Sequence, residues 1–425
     1  MTSSLLRRWF AAPIVALTLF YLASSPSFAA APPACDSTNG GITLPPNFCA
    51  EVVAANLGGA RHLAVAPNGD LFVGLIDGGI VALHDSTGNG RFDVQQKFGD
   101  ASVTGIAFHD GYLYFATPVT VERYKWSPGQ LKPTGPSEVV VTGLPTEQEH
   151  HDKGLTFDSS GHLYINVGAP SNACQEHDRR PGVPGIDPCP ILEKHGGVWM
   201  FDANKLGQTQ TDGVRFATGL RQFPALTWHN DALYIVMNNR DQLDTLWPKY
   251  FTAEDNATWP AEPMYRAEMG FNFGWPYCDF NYVTQKLFQN PEYGGDGKMA
   301  DRCGQYTLPI ASFPAHWAPV DVMFYSGHQF PGHYRDGAFI AFHGSWNRAP
   351  LPQAGYNVVF QPFKDGKPSG KFEVFASGFI GKTPLLNPAD ADARPDGLAQ
   401  APDGSLYIGE SQHGKIWRVF YHSHY

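Results

Sequence analysis

Apolar and polar residues alternate in short runs along most of the chain, and turn-forming residues separate the runs. The unit is an apolar strand, a turn, a second apolar strand ending in a small or polar residue, then a third alternating strand. It reads ARHLAVAPNGDLFVGLIDGGIVALHD from Ala60 and VTGIAFHDGYLYFATPVTVERYKW from Val103. It returns as KGLTFDSSGHLYINVGA from Lys153, closing with GGVWMFDA, and as FPALTWHNDALYIVMNN from Phe223. A longer version runs from Val320 through DGAFIAFHGSW to YNVVFQPF, and the last is RPDGLAQAPDGSLYIGESQHGKIWRVFY from Arg394. The period-two runs predict half-buried strands, and Pro-Asn-Gly, Asp-Ser-Ser-Gly and Pro-Asp-Gly predict the turns between them.

One such sheet cannot bury both of its faces. Six arranged radially bury every face against a neighbour and leave only short edges. The expected fold is therefore all-β, a six-bladed β-propeller with loop insertions, preceded by an N-terminal signal peptide. A β-sandwich is the alternative, although sandwiches seldom carry six similar units. The segment FCAEVVAAN from Phe48 precedes the first full unit, and we read it as the outer strand that completes the last blade. Stretches 169–197, 243–272 and 276–318 break the repeat, are rich in Pro, Gly, Asp and aromatics, and read as ordered loops around a site.

Composition places this fold in a compartment. Arg7 and Arg8, the apolar stretch from Phe10 to Ala23 and the small-x-small Ser27-Phe28-Ala29 make a secretory signal over residues 1–29. The run holds Pro13 and is short for a bilayer span, which needs roughly 20 apolar residues. Residues 30–425 are then a single propeller domain, periplasmic or secreted, with no membrane insertion after cleavage. Six cysteines suit an oxidising compartment. They allow about 15 connectivities; the local spacing suggests Cys35 with Cys49, Cys174 with Cys189 and Cys278 with Cys303. The net charge of −10 argues against a nucleic-acid partner.

Four polar constellations carry candidate chemistry. Glu149-His150-His151-Asp152 lies just before the third unit, and histidine is suited to take a proton near neutral pH. Arg221-Gln222 precedes the fourth unit, where a guanidinium can clamp a carboxylate or quinone oxygen. Asn238-Asn239-Arg240-Asp241 forms a polar strand exit whose oxygens suit a hard cation such as calcium. His343-Gly344-Ser345-Trp346-Asn347-Arg348 closes a strand of the fifth unit, and Arg394 precedes the sixth. Taken singly, each is more often a solvated loop or turn. In a propeller, strand entrances of equal phase lie at one end of the channel, so these groups would converge in a concave mouth.

The runs GLRQFPALTW, NNRDQL, GFNFGWPY, GAFIAFHGSWNR and RPDGLAQAPDGSLYIGE, between Leu44 and Tyr421, resemble the glucose/sorbosone dehydrogenase family, its sorbosone-type branch more closely. That resemblance implies a six-bladed propeller using pyrroloquinoline quinone and calcium. His151 matches the general base of the glucose-oxidising branch, and His150 falls where that branch has an aspartate. Arg221 matches a quinone-contacting arginine, with Gln222 in place of an asparagine. Arg394 matches another; a further arginine two positions on is replaced by Asp396. A cofactor-contacting lysine falls near Asn347 or Arg348, Trp346 beside them is expected to contact the cofactor too, and calcium ligation by backbone carbonyls maps onto Arg240 and Asp241. The implied activity is oxidation of a sugar or related alcohol or aldehyde, with His151 taking the hydroxyl proton and an electron acceptor of unknown identity closing the cycle. A calcium-dependent lactonase-like hydrolase using Asn238, Asn239 and Asp241, and a non-catalytic binding propeller, are the competing readings.

Overall fold

The computed structural model describes residues 35–145 and 149–422. Six antiparallel sheets form the blades. Five share an order in which the innermost strand comes first, as in Ala60–Val65, Leu71–Leu75, Ile80–His84 and Val94–Phe98 of blade 1. The innermost strands Ala60–Val65, Gly105–His109, Leu155–Phe157, Gln222–His229, Pro319–Phe324 and Pro395–Gln400 touch one another in a closed ring. Blade 6 takes its outer strand from the other end of the chain. Phe48–Ala54 pairs antiparallel with Ile416–Tyr421, Phe48 opposite Tyr421 and Glu51 opposite Arg418. The expected leading strand thus closes the ring. Among the described residues no helix is long and apolar enough to cross a membrane.

Period-two alternation explains how each strand serves two interfaces. Val73 packs towards blade 6 with Leu63, Tyr407 and Ile416, while its neighbour Phe72 packs towards blade 2 with Phe98 and Phe115. Tyr164 meets Leu233 and Tyr265 of blade 4, whereas Leu163 and Ile165 meet Tyr114 of blade 2. Each such fully buried side chain contributes about 1.5–3 kcal/mol. Near the axis the limit is steric. A Cβ on Gly154 would lie 2.1 Å from the Pro224 carbonyl, and one on Gly397 would lie 2.4 Å from that of Arg61. Glycine there lets neighbouring innermost strands touch.

The loop stretches need one correction. Stretches 243–272 and 276–318 are not simple insertions, because they contain the third and fourth strands of blade 4, Glu262–Ala267 and Ala311–Phe313. Two short helices, Leu243–Leu246 and Ala253–Thr258, precede the third strand, and a hairpin of Cys278–Asn281 with Lys286–Gln289 separates it from the fourth. Strands so short and widely spaced show no clean alternation in the sequence. The expected signal segment 1–29 lies outside the described residues.

The three disulfides pair as the spacing suggested: Cys35–Cys49, Cys174–Cys189 and Cys278–Cys303. Cys35–Cys49 spans a separation of 14 residues and ties the closing strand. Replacing both by serine is expected to lower stability by about 3 kcal/mol through the lost loop constraint, read as a shift in the urea midpoint at unchanged slope. An unchanged midpoint would show that the ring closes without help from this bridge.

Candidate active site

At one end of the channel, the entrance of blade 4 faces blades 3 and 5 across a cleft of about 360 Å³, a size within the ordinary range for ligand pockets. Its floor is organised by Asp241. Oδ2 of this carboxylate accepts from Arg221 at 2.7 Å and from Arg179 at 3.1 Å, and Oδ1 accepts from the Asn347 amide at 2.6 Å. Burial alone would raise the Asp241 carboxyl, but Arg221 and Arg179 outweigh it and hold it down, at about 2. Asn172 fixes the Asp241 backbone. Its Oδ1 accepts from the Asp241 N–H at 2.9 Å, and its amide donates to the Asp241 carbonyl at 3.0 Å. Arg221 also donates to the Asn239 carbonyl at 2.8 Å.

Glu149, His150, Glu262 and His316 also line the cleft. His150 is partly buried, its Nδ1 lying 2.5 Å from the Ala169 carbonyl. Burial, reinforced by Arg221, pushes its pKa down to about 3, so the ring is neutral at physiological pH. Glu262 accepts the Asn239 N–H at 2.8 Å and the Ala318 N–H at 3.2 Å, which ties blade 4 to blade 5. Burial pushes its carboxyl up to about 8.

The expected site residues divide. Arg221, Gln222, Asp241, Trp346 and Asn347 line the cleft together, with Trp346 exposed at the rim. His151 does not line it, although its chain neighbour His150 does. Its imidazole is partly exposed, 3.7 Å from Asp152, and its carbonyl accepts from Lys153 at 2.8 Å. The other three cations depart from the expectation that they face the mouth. Arg240 is fully buried and makes two bonds to Glu292, at 2.6 and 2.9 Å. Arg348 donates to the Ala257 and Pro352 carbonyls. Arg394 braces the turn of the fifth unit by donating to the His343 and Gly344 carbonyls, at 3.2 and 2.6 Å. Each points a long side chain back into the protein, where backbone carbonyls or a buried acid satisfy it.

The sequence reading missed two features. Arg179, from the Cys174–Cys189 loop, enters the cleft, and its only sequence signal was the cysteine bracket. On the channel axis, Arg61 bonds to Asp396 at 2.7 Å and lies 3.8 Å from Asp152, while His343 lies 3.9 Å from Asp396. Asp396, which stands where the resemblance implied an arginine, thus holds an arginine from blade 1. Asp152 borders this throat and His150 borders the cleft, while His151 lines neither.

The cleft suits a ligand rich in hydrogen-bonding groups. Arg221 Nε, Gln222 Oε1, Asn239 Nδ2 and Asn347 Oδ1 are buried in its lining without a hydrogen-bond partner. Proteins rarely leave such atoms unmatched outside functional sites. The expected calcium ligands fit less well. The Asp241 carboxylate is taken by two guanidiniums and an amide, and its carbonyl by Asn172. Among the described residues, the one cluster of three or more His, Cys, Asp or Glu side chains close enough for a metal is Cys35, Cys49 and His422, whose cysteines are bridged.

Comparison with known proteins agrees with this architecture. The chain is 29% identical over 191 residues to a pyrroloquinoline quinone-dependent pyranose dehydrogenase of Coprinopsis cinerea, covering 38% of this chain and 25% of that protein. It is 27% identical over 276 residues to an uncharacterized protein of Borreliella burgdorferi, covering 64% of this chain and 61% of that protein. It therefore spans less than two thirds of the length of either curated relative. The fold is that of the calcium structure of a Trichoderma reesei enzyme of carbohydrate-active family AA12, with TM-score 0.74, 18% identity and coverage of 90% of this chain and 97% of that one. The holo pyranose dehydrogenase PQQ domain of Coprinopsis cinerea gives TM-score 0.72 at 18% identity, covering 92% and 98%. The apo form of the soluble aldose sugar dehydrogenase of Escherichia coli gives 0.59 at 14%, covering 88% and 100%. The implied kinship with soluble quinone-dependent sugar dehydrogenases is met. A model of the TrAA12-like family matches residues 42–422, and the chain belongs to that family.

Proposed function

We propose that this protein is an exported oxidoreductase that oxidises a sugar or related alcohol with pyrroloquinoline quinone. The observation that carries the reading is the set of unmatched buried polar atoms on Arg221, Gln222, Asn239 and Asn347 around one cleft. The relatives named above support the same cofactor, and the three disulfides support an oxidising compartment. The electron acceptor remains to be identified.

When bound, the quinone supplies the two-electron oxidant, and the protein supplies placement and electrostatics. Arg221 offers its unmatched Nε–H to an oxygen of the cofactor and offsets its negative charge. Gln222 and Asn347 orient it by hydrogen bonds, and the exposed Trp346 ring gives substrate or cofactor a flat face at the rim. His151 takes the proton of the substrate hydroxyl, and Asp152 at 3.7 Å stabilises the imidazolium that forms. Calcium was expected on the backbone carbonyls of Arg240 and Asp241, but the Asp241 carbonyl accepts from Asn172 and its carboxylate from Arg221, Arg179 and Asn347. The lactonase-like reading loses support for a related reason. Of the amide oxygens it would use, Asn239 Oδ1 accepts from the Arg240 N–H at 2.8 Å.

The test is dye reduction by protein reconstituted with the quinone, across aldoses, sorbosone, simple alcohols and lactones. Oxidation of at least one sugar is the expected result. Cofactor binding without dye reduction would favour a binding propeller, and lactone hydrolysis a hydrolase. Arg221→Ala is expected to weaken cofactor affinity by about 1.5–3 kcal/mol, the usual contribution of a hydrogen bond to a charged group, measured by fluorescence titration. Unchanged affinity would remove Arg221 from the cofactor seat.

A further inference from the structure

Arg179 lies on the loop closed by Cys174–Cys189, and that loop is fastened to the cleft from several sides. Asn172, at its start, pairs with both backbone groups of Asp241. Asp178 accepts from the Ser171 hydroxyl at 2.6 Å and from the Asn172 N–H at 3.0 Å. The Gln175 amide donates to the Arg180 and Val183 carbonyls, at 2.9 and 2.6 Å. Arg179 itself takes a left-handed φ of 57°. A non-glycine residue keeps that conformation where its surroundings over-determine it, and such residues cluster at ligand sites. The loop therefore fixes the direction of this side chain.

The guanidinium is held on its inner side and only loosely on its outer one. It donates to Gln242 at 2.8 Å and to Asp241 at 3.1 Å, with Asp178 at 3.5 Å from its Nε. Its outer partner Glu149 is 3.4 Å away and 45% exposed. An exposed pair of that kind is weak and exchanges readily. Arg179 is 24% exposed, whereas Arg221, on the same Asp241 oxygen, is 3% exposed. Arg179 is thus the cleft guanidinium that an incoming molecule meets first.

We propose that Arg179 is an anion seat of the cleft, receiving a carboxylate of the entering molecule in exchange for Glu149. The proposal rests on the reading of the cleft as a cofactor and substrate site, and it deepens that reading by naming the group recognised. A guanidinium presents paired N–H donors that match a carboxylate, which an ammonium does not. The carboxylate has two possible sources, the cofactor or an acidic sugar such as a uronate.

Two titrations separate the sources, run on wild type, Arg179→Gln and Arg179→Lys. The first follows pyrroloquinoline quinone binding to cofactor-free protein by fluorescence. The second follows glucuronate and glucose by calorimetry, on cofactor-free and loaded protein. If the cofactor supplies the carboxylate, Arg179→Gln weakens quinone binding about 10–100-fold, Arg179→Lys recovers part of the loss, and the glucuronate-to-glucose affinity ratio stays within about twofold. If the substrate supplies it, quinone binding is unchanged, and a wild-type preference for glucuronate of about tenfold or more collapses in Arg179→Gln. Arg179→Lys keeps a cation beside Asp241 and serves as the folded comparison if Arg179→Gln proves unstable. Quinone and glucuronate affinities within about twofold of wild type in the variants overturn the proposal. Wild type that fails to bind the quinone overturns the functional reading instead, and the glucuronate titration of cofactor-free protein still decides Arg179. Wild type that binds neither overturns both.

Discussion

His151→Ala is expected to lower cofactor-dependent oxidation by about 10²–10⁴-fold, the usual contribution of a general base, while quinone affinity stays near wild type. The base must be reachable by a substrate hydroxyl and must tolerate a proton once it has one. His151 is partly exposed, and Asp152 lies 3.7 Å from its ring. His150 lines the cleft but fails the second condition, because burial together with Arg221 pushes its pKa down to about 3. A group with so low a pKa binds no proton between pH 5 and 9, so it cannot shape the pH–rate profile there. His150→Ala should instead loosen the cleft wall and weaken quinone binding. Full activity in His151→Ala, measured by dye reduction at saturating quinone, would remove the base assignment.

The second large effect concerns stability. Glu292→Ala is expected to destabilise the fold by about 3–5 kcal/mol, the usual result of removing one member of a buried ion pair. Arg240 and Glu292 both have fully buried side chains, joined by two bonds, and Trp247 Nε1 also donates to Glu292 at 2.8 Å. Without Glu292 the guanidinium stays buried, with Asp279 as a neighbouring acid whose carboxyl burial pushes up to about 6 despite the pull of Arg240. Urea denaturation reads the loss directly. The double variant Arg240→Met, Glu292→Leu is the comparison, because replacing a whole buried pair with apolar groups is often neutral. Equal losses in the single and double variants would show that packing, not the unpaired charge, sets the cost.

The fold was legible because alternation carries it: Phe72 and Val73 face opposite blades, and the run reads so. The closing strand was legible as an apolar segment without a partner ahead of the first unit. Blade 4 was only half legible, since its outer strands are short and separated by helices and a hairpin. At the site, Arg221 and Asp241 were found through their motifs. The direction of Arg240 carried no local signal, because it lies past the end of the strand Ala232–Asn238, where period-two alternation stops. Arg348 and Arg394 were not decidable either, because a long flexible side chain chooses among carbonyls that only the folded turn brings near. Arg179 and Arg61 come from other blades and loops, and no local pattern announces such convergence.

Calorimetric titration of purified cofactor-free protein with pyrroloquinoline quinone, with and without calcium, asks whether the cleft at the entrance of blade 4 is a quinone site. One saturable site per chain, weakened in Arg221→Ala, is the expected result. Absence of binding under both conditions, or binding untouched by Arg221→Ala, would contradict it.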